Sequence, residues 1–338
     1  MKTIAFFNNK GGVGKTSLVY HLAWMFADQG HDVLAADLDP QSNLTAMFLE
    51  DEQLEELWND DSRPNTIQDA VVPLIDITGD IQTPIVQRIN SEHDFITGKI
   101  GLIAGNMDLS KFEDPLSEQW PKCLEKNAGA FRVISAFYRI LAVCADEQKA
   151  ELVLIDVGPN LGAINRAALI ASDYVVIPLS PDLYSIQGLR NLGPTLRDWR
   201  RGWKKRLGEK PETNLNLPKG EMSPLGYVVL QHALRQDRPV KAYDRWIARI
   251  PAVYRESVLA EPAPNPPSIA EDPHCLTLIK HYRSLMPMAM EARKPMFFLK
   301  PADGAIGAHV GAVKQCYKDF EYLAQQILLH IEKAESVR

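Results

Sequence analysis

The feature that most restricts the fold of this chain is a glycine-rich segment between a predicted buried strand and a predicted helix. The apolar run at 3–8 precedes it, and an apolar-periodic helix is predicted over 17–27. The segment itself, Lys10 to Thr16, has the sequence KGGVGKT. Glycines let a backbone close on an anion, and N–H groups at a helix start bind phosphate oxygens. The segment therefore predicts a phosphate-binding loop in an α/β fold.

The loop also predicts individual contacts to a nucleotide. The pattern G-x-x-x-x-G-K-[ST] fails here at its first position, which is Asn9 instead of glycine. By spacing, Lys15 is expected to reach the β and γ phosphates, and the Thr16 hydroxyl is expected to bind Mg²⁺. The other predicted cofactor-binding residues of the loop are Gly11, Gly12, Val13, Gly14 and Ser17.

Apolar runs at 33–37, 151–156, 174–178 and 225–230 follow, separated by helical stretches. Alternation of this kind predicts a mostly parallel sheet with helices on both faces. Together with the phosphate-binding loop after the first strand, it predicts a P-loop NTPase sheet. Hydrophobic residues make up 46% of the chain and charged residues 24%, which is typical of globular proteins. We expect a single elaborated domain over 1–338.

Three segments outside this alternation are also interpretable. The stretch 50–121 is weakly periodic, and we interpret it as a surface insertion with one strand near 100–104. The proline-rich stretch 259–273 predicts a loop, either a stiff connector or a partner-docking loop. Apolar residues at helical spacing over 313–331 predict a closing helix.

Composition limits the cellular setting. The 338 residues carry 37 Lys and Arg against 43 Asp and Glu, a net charge of −6. The longest apolar runs are far shorter than the roughly 20 residues that cross a bilayer. The four cysteines form no C-x-x-C pair, so the sequence does not suggest a zinc site. We expect a cytoplasmic protein without a membrane span, and nucleoid association if it binds DNA.

Two acidic motifs accompany the loop. Residues 36–43 (ADLDPQSN) follow the second predicted strand, and residues 154–159 (LIDVGP) end a later one. With KGGVGKT, these motifs resemble the ParA/MinD family of deviant Walker A ATPases, whose signature is K-G-G-x-G-K-[ST]. The chain is most similar to the ParA-type partitioning ATPases of that family. The resemblance covers most of the chain apart from the insertion.

The acidic residues have predicted roles beside the loop. Parallel strands end at one edge of a sheet, so Asp37 and Asp156 are suited to anchor Mg²⁺ together with Thr16. The resemblance implies that Asp39 orients the attacking water and that Lys10 contacts phosphates across a homodimer interface. Without the loop, the two aspartates of the first motif would be interpreted as a solvated turn or a helix cap.

The resemblance is incomplete at two places. The family often has Pro-Pro-Ser after the Walker B aspartate, where this chain has Val157, Gly158, Pro159 and Asn160. Coupling of that switch segment to hydrolysis is therefore expected to differ. Adenine contacts are assigned by the resemblance to Gln231, Pro301 and Asp303.

A basic helix is predicted near residue 200. Its apolar residues recur at steps of three and four, which predicts one packed face. The predicted DNA-binding residues on another face are Arg197, Arg200, Arg201, Lys204 and Lys205. About five phosphate contacts would give a log–log salt slope of roughly −4 to −5. The alternative is a solvated basic face without a ligand.

These features and the resemblance to the ParA/MinD family together imply an ATPase switch. ATP and Mg²⁺ would close a homodimer that binds DNA nonspecifically, and a ParB-like or other activating protein would stimulate slow hydrolysis. Such a cycle would partition or position DNA or another cargo. One alternative is an ATP-gated scaffold that binds a protein partner with little dependence on turnover. Another is a metabolic P-loop transferase, which Lys10 and the first acidic motif disfavour.

Overall fold

The computed structural model describes residues 1–59, 63–89, 96–212, 214–230, 245–282 and 284–336. The strands are β1 (Lys2–Phe6), β2 (Val33–Asp37), β3 (Gln87–Ile89), β4 (Ile100–Ile103), β5 (Leu152–Asp156), β6 (Tyr174–Leu179), β7 (Ser223–Leu230) and β8 (Cys275–Ile279). They form one eight-stranded sheet in the order β3-β4-β2-β5-β1-β6-β7-β8. All neighbours are parallel except β3 and β4, as the alternation of strands and helices predicted.

Helices cover both faces of this sheet. They are α1 (Lys15–Asp28), α2 (Asn43–Phe48), α3 (Asp51–Asn59), α4 (Ile67–Ile75), α5 (Glu113–Lys122), α6 (Ala128–Ile134), α7 (Ala136–Gln148), α8 (Ala163–Ile170), α9 (Leu183–Gly208), α10 (Ile250–Val253), α11 (Leu285–Ala292) and α12 (Ala308–Ser336). In the described ranges, 3₁₀ turns lie at Met107–Phe112, Cys123–Glu125, Met296–Phe298 and Pro301–Asp303, and a π-helical turn lies at Tyr254–Leu259.

The core has two layers because successive strand side chains point to opposite faces. In β1, Ile4 and Phe6 pack with α1 and α12, whereas Ala5 and the following Phe7 pack with α6 to α9. Both sides of the central strands are therefore apolar, which explains their continuous hydrophobic runs. The predicted α/β fold with a mostly parallel sheet is confirmed.

The stretch 50–121 contributes more than the single strand expected. It contains α3, α4 and all of α5 except its last residue, and it supplies both β3 and β4. Strand β4 pairs in parallel with β2, from Val33 opposite Ile100 to Ala36 opposite Ile103. Part of this stretch is therefore inside the sheet and not on its surface. Its weak periodicity arises because short elements alternate within about seventy residues.

The later segments agree with the expected elements. Of the predicted loop 259–273, Leu259 is the last residue of the π-helical turn, and residues 260–273 contain no helix or strand. The closing helix begins at Ala308, before the predicted start. The four cysteines are free thiols. Within the described ranges, no single helix is long and apolar enough to cross a membrane. The pair α6 and α7, bent by 59°, passes that test only when taken together.

Candidate active site

The phosphate loop connects β1 to α1 at the carboxyl edge of the sheet. Gly14 caps α1 with φ of +86°, a conformation that favours glycine, and a Cβ there would lie 2.9 Å from Leu230 Cδ1. Asn8 fixes the loop entrance, since its Nδ2 donates to the Pro178 carbonyl at 2.7 Å. Its Oδ1 accepts from the Lys10 amide at 3.0 Å. The loop therefore has fixed ends.

Asp37 and Asp156 are neighbours across the sheet. They end β2 and β5, and the parallel register places them directly opposite each other. Both side chains are fully buried, and Asp39 is 6% exposed. The structure thus brings together, beside the phosphate loop, carboxylates that are more than a hundred residues apart in sequence.

Asp37 is held by a neighbour that the sequence motifs did not indicate. Its Oδ2 accepts from the Thr45 amide and the Thr45 hydroxyl, both at 2.8 Å. Gly105 packs directly on this carboxylate, because a Cβ there would lie 2.9 Å from Asp37 Cγ. The Gly105 amide donates to Thr45 Oγ1 at 2.7 Å. Side chain and backbone therefore fix the orientation of Asp37.

Asp156 has the surroundings of a cation ligand. Both carboxylate oxygens are buried and have no hydrogen bond of ordinary geometry in the described part of the chain. Burial, followed by the nearby Asp37, raises the pKa of Asp156 well above its usual range, against the opposing effect of the Thr16 hydroxyl. Burial likewise raises the pKa of Asp37 to about 7. A bound cation would favour the ionised form of both groups.

Lys15 is a buried cation beside this acidic pair. It is 7% exposed, and burial lowers its pKa, whereas Asp156 and Asp39 raise it. Its Nζ donates to the Lys10 carbonyl at 3.4 Å. The described residues hold no group of three or more His, Cys, Asp or Glu side chains that could bind a metal alone. A cation here would therefore also need nucleotide oxygens or water, which is the usual coordination of Mg²⁺.

Asp39 lies in contact with the segment that follows β5. Its Oδ1 accepts from the Gln41 amide at 3.0 Å, and a Cβ on Gly158 would lie 3.2 Å from this oxygen. Asn165 holds the same segment, since its Nδ2 donates to the carbonyls of Gly158 and Asn160 at 2.8 and 2.7 Å. A movement of residues 158–160 would therefore change the surroundings of Asp39.

Lys10 forms an ion pair within its own chain. Its Nζ contacts Asp182, which also caps α9 by accepting from the Ser185 amide at 2.9 Å. The side chains of Lys10 and Asp182 are 27% and 30% exposed. Leu183 and Tyr184, the first residues of α9, are 50% and 75% exposed. The signature lysine thus lies at an accessible surface beside exposed apolar side chains.

An apolar cavity of about 130 Å³ adjoins the loop at the ends of β7 and β8. Its lining residues are Val13, Gly14, Ser17, Leu18, Leu230, Ile279, Lys280, His281, Tyr282, Met286, Met296 and Phe320. Pro301 and Asp303, the expected adenine contacts, do not line it. Asp303 instead accepts from the Lys300 amide at 2.8 Å and pairs with Lys294 at 3.3 Å. Gln231 lies outside the described residues.

The predicted basic face is divided in the structure. Arg200 donates to the carbonyls of Glu221 at 2.5 Å and Met222 at 2.7 Å, and burial lowers its pKa. Arg197 donates to the carbonyls of Ser257 and Val258. These two arginines hold other segments against α9 and are not a free cationic surface, contrary to the expectation.

The remaining three cations point outward. Arg201, Lys204 and Lys205 are exposed near the carboxyl end of α9. Arg201 contacts Asp198 one turn away, and exposed pairs of this kind contribute little energy. The surface available to an anion is therefore smaller than the sequence predicted.

Sequence reasoning missed four positioning residues: Thr45, Gly105, Asn165 and Asp182. None lies in a motif with a recognisable spacing. Thr45 follows Asp37 by eight residues, and Gly105 approaches it only because β4 pairs with β2. A glycine directly after an apolar strand, as at 105, was the one available signal.

Comparison with known proteins extends these observations. Residues 1–208 match the family model described as AAA domain. The chain is 30% identical to the sporulation initiation inhibitor protein Soj of Bacillus subtilis over 198 residues, 58% of this chain and 65% of Soj. It is 26% identical to the uncharacterized protein MJECL24 of Methanocaldococcus jannaschii over 85% of this chain and 90% of that protein.

A solved structure supports the fold. An ATP complex of McdA from Cyanothece superposes with a TM-score of 0.62 at 17% identity, covering 97% of this chain and 96% of McdA. The family model spans more than half of the chain and carries both the phosphate loop and the acidic motifs. The chain therefore belongs to this AAA-domain family and, as its motifs predicted, to the ParA/MinD group of P-loop ATPases.

Proposed function

We propose that this protein is a ParA-like ATPase that dimerises on binding ATP, binds DNA nonspecifically in that state, and partitions or positions DNA or another cargo. A partner protein would stimulate hydrolysis and so release the DNA. The observation that carries this proposal is the meeting of Lys15 and Thr16 with the buried carboxylates at the ends of β2 and β5.

The residues present fit a magnesium nucleotide. Thr16, Asp37 and Asp156 would hold Mg²⁺, because no hydrogen bond of ordinary geometry from the described residues reaches the buried Asp156 oxygens, and Thr45 orients Asp37. The ion would neutralise phosphate charge as it develops during phosphoryl transfer. Lys15, partly desolvated, would bind the β and γ phosphates.

Asp39 would orient the attacking water. Its carboxylate lies against Gly158, so a change in residues 157–160 on nucleotide binding would be transmitted to it. The adenine base would bind in the apolar cavity beside Gly14. The residues that line this cavity would take the place of Pro301 and Asp303, the adenine contacts expected from the resemblance. We expect the variant Asp39→Ala to lose productive hydrolysis because the chemical step fails, while its binding of ATP is retained.

Lys10 would act across the dimer interface. Two nucleotides facing each other bring phosphate charges together, and a cation between them offsets this repulsion. Lys10 would have to exchange Asp182 for the partner's phosphates, which its partial exposure permits. The exposed Leu183 and Tyr184 are suited to be covered by a second copy of the chain.

The test measures binding to a labelled random-sequence DNA duplex across a salt series. Asp39→Ala in Mg-ATP keeps the nucleotide intact and is compared with wild type in Mg-ADP. We expect at least about tenfold tighter binding with ATP, and a log–log salt slope of about −3 per protomer from Arg201, Lys204 and Lys205. This slope is below the sequence-based value because Arg197 and Arg200 are occupied.

Charge-matched variants locate the surface. Lys204→Glu with Lys205→Glu should weaken DNA binding about tenfold or more. Lys314→Glu with Lys318→Glu changes the same charge on α12 and should stay within about twofold. Equal binding in both nucleotides would reject the nucleotide switch, and equal losses in both double variants would reject α9 as the DNA surface.

A further inference from the structure

A second cavity lies in the stretch 50–121, away from the phosphate loop. It has a volume of about 330 Å³ and lies between α3, α4 and the 3₁₀ turn at 107–112. One wall is apolar and consists of Leu57, Trp58, Val72 and Ile75. Trp58 is 37% exposed, so its indole is accessible to a ligand. Aromatic faces attract cations, arginine in particular.

The other wall is acidic. Among the described residues, Asp69, Asp76 and Asp108 line it together with one lysine, Lys111. Lys111 pairs with Asp108 at 2.6 Å, but both side chains are about 60% exposed, so an incoming cation can replace this contact at low cost. The cavity thus has a negative balance of charge.

Gln68 is the independent sign that the cavity takes a hydrogen-bond donor. It lines the cavity, is 6% exposed, and its Oε1 has no hydrogen-bond partner among the described residues. A buried acceptor without a partner costs free energy that a ligand donor would recover. Asp69 does not donate a hydrogen bond to this oxygen. Its carboxylate accepts hydrogen bonds, and Oδ2 already accepts from the amide and the hydroxyl of Thr66.

The surface around the cavity has the same sign. Helix α3 buries Leu54 and Leu57 and exposes four carboxylates outward: Asp51, Glu52, Glu55 and Glu56. Among these, Asp51 pairs with Arg293 at 2.9 Å. Complementary charge steers association between proteins, so a basic segment fits this surface best.

Three hydrogen bonds connect the cavity wall to the nucleotide site. Trp58 Nε1 donates to the Gly105 carbonyl at 3.2 Å. The Gly105 amide donates to Thr45 Oγ1 at 2.7 Å, and the Thr45 hydroxyl donates to Asp37 Oδ2 at 2.8 Å. A ligand that stacks on Trp58 and shifts its indole would therefore weaken the bond to Gly105 and disturb the orientation of Asp37.

We infer that this cavity receives an arginine side chain from a basic segment of a partner protein, and that its occupancy alters the nucleotide site through Trp58, Gly105 and Thr45. The guanidinium group stacks on Trp58, lies near Asp76 and Asp108, and donates to Gln68 Oε1. The inference extends the proposed function and rests on it only for the effect on nucleotide.

Binding is tested by calorimetry on the nucleotide-free full chain. The probe is the peptide acetyl-Arg-Leu-Arg-Ala-Leu-Arg-amide, and its control carries citrulline, which keeps the shape without the charge, in place of each arginine. Asp76→Asn with Asp108→Asn should weaken binding of the arginine peptide about tenfold. Gln68→Met, which removes the acceptor at similar volume, should weaken it about threefold or more.

The matched control is Glu52→Gln with Glu55→Gln, which removes two charges from α3 outside the cavity and should change affinity less than about twofold. Equal losses in both double variants, or equal binding of the citrulline peptide, would overturn the inference. Thermal unfolding shows whether each variant is folded, and unchanged peptide affinity in folded Gln68→Met would also contradict it.

The connection is tested with Trp58→Phe, which keeps an aromatic ring but removes the donor to Gly105. The peptide should shift the affinity of wild type for a fluorescent ATP analogue about threefold or more, and this shift should vanish in Trp58→Phe. A full shift in the variant would overturn the hydrogen-bonded connection. If the chain binds no nucleotide at all, the proposed function fails while the peptide result still decides the cavity.

Discussion

Among single residues, the chemistry of the site depends on side chains whose surroundings differ from water. Asp37, Asp156 and Lys15 were predicted from motifs, and the structure places them together. Their burial was not predictable from the motifs, because it arises from helices packed over both sheet faces. Thr45 and Gly105 had no motif, since their contacts with Asp37 exist only in the folded chain.

His21 gives a prediction about pH that depends on one side chain. It is fully buried in α1, with Nδ1 bonded to the Ser17 carbonyl at 2.7 Å and Nε2 accepting from the Met296 amide at 3.1 Å. Burial lowers the pKa of His21 to about 4. Since the unfolded chain binds the proton more readily, the contribution of His21 to folding is fully present above pH 6.5 and is lost as pH falls towards 4.

We expect that loss to reach about 3 kcal/mol in the free energy of unfolding. Urea unfolding of wild type and His21→Gln at several pH values measures it. The stability difference between the two proteins should narrow as pH falls from the ordinary histidine pKa of about 6.5 towards 4. Comparing the two proteins at each pH removes the contribution of Asp37, which both share. On its own, the raised pKa of Asp37 would make the free energy of unfolding rise as pH falls. A difference independent of pH would show that His21 is protonated equally in both states.

Among the elements, α9 shows why a helical pattern does not define a surface. Its apolar stripe was predicted and buries Leu192, Leu196 and Trp203. The basic residues on its other sides looked equivalent in sequence. The fold distinguishes them, because backbone carbonyls at 221–222 and 257–258 approach Arg200 and Arg197 but not Lys204 or Lys205.

Gly193 is a point of very close contact between α9 and the π-helical turn at 254–259. A Cβ there would lie 1.9 Å from the Ser257 carbonyl oxygen, a backbone atom that cannot move away alone. We expect Gly193→Ala to lower the free energy of unfolding by about 2–4 kcal/mol. Gly208→Ala, in the same helix with open space around it, should be neutral or stabilising by up to about 1 kcal/mol.

Chemical denaturation of both variants measures these changes. Similar stabilities for the two would mean that the π-helical turn moves freely away from α9. Sequence patterns offered no reason to separate these glycines, because both lie near one predicted basic helix. The distinction comes from the approach of a segment more than sixty residues away.

Across the molecule as a whole, the phosphate loop and Lys10 lie on one face of the fold beside the start of α9. In Mg-ATP, we expect Asp39→Ala to form a dimer and Asp39→Ala with Lys10→Ala to remain monomeric, because the facing phosphates then lack their cation. Light scattering after size exclusion measures this. Lys318→Ala in the Asp39→Ala background serves as the control, and a dimer of normal stability without Lys10 would contradict the role across the interface.

Local patterns in the chain were enough to predict the class of fold and the position of the glycine-rich loop between β1 and α1. Both depend on neighbours in sequence: apolar runs with intervening helices, and glycines between a strand and a helix. The folded molecule decided which cations of α9 are exposed, where an apolar cavity adjoins the phosphate loop, and how Asp37 is oriented. These depend on contacts between distant segments, such as β4 against β2 and residues 221–222 against α9. Spacing along a chain does not encode such contacts, whereas packing of the two core layers fixes them.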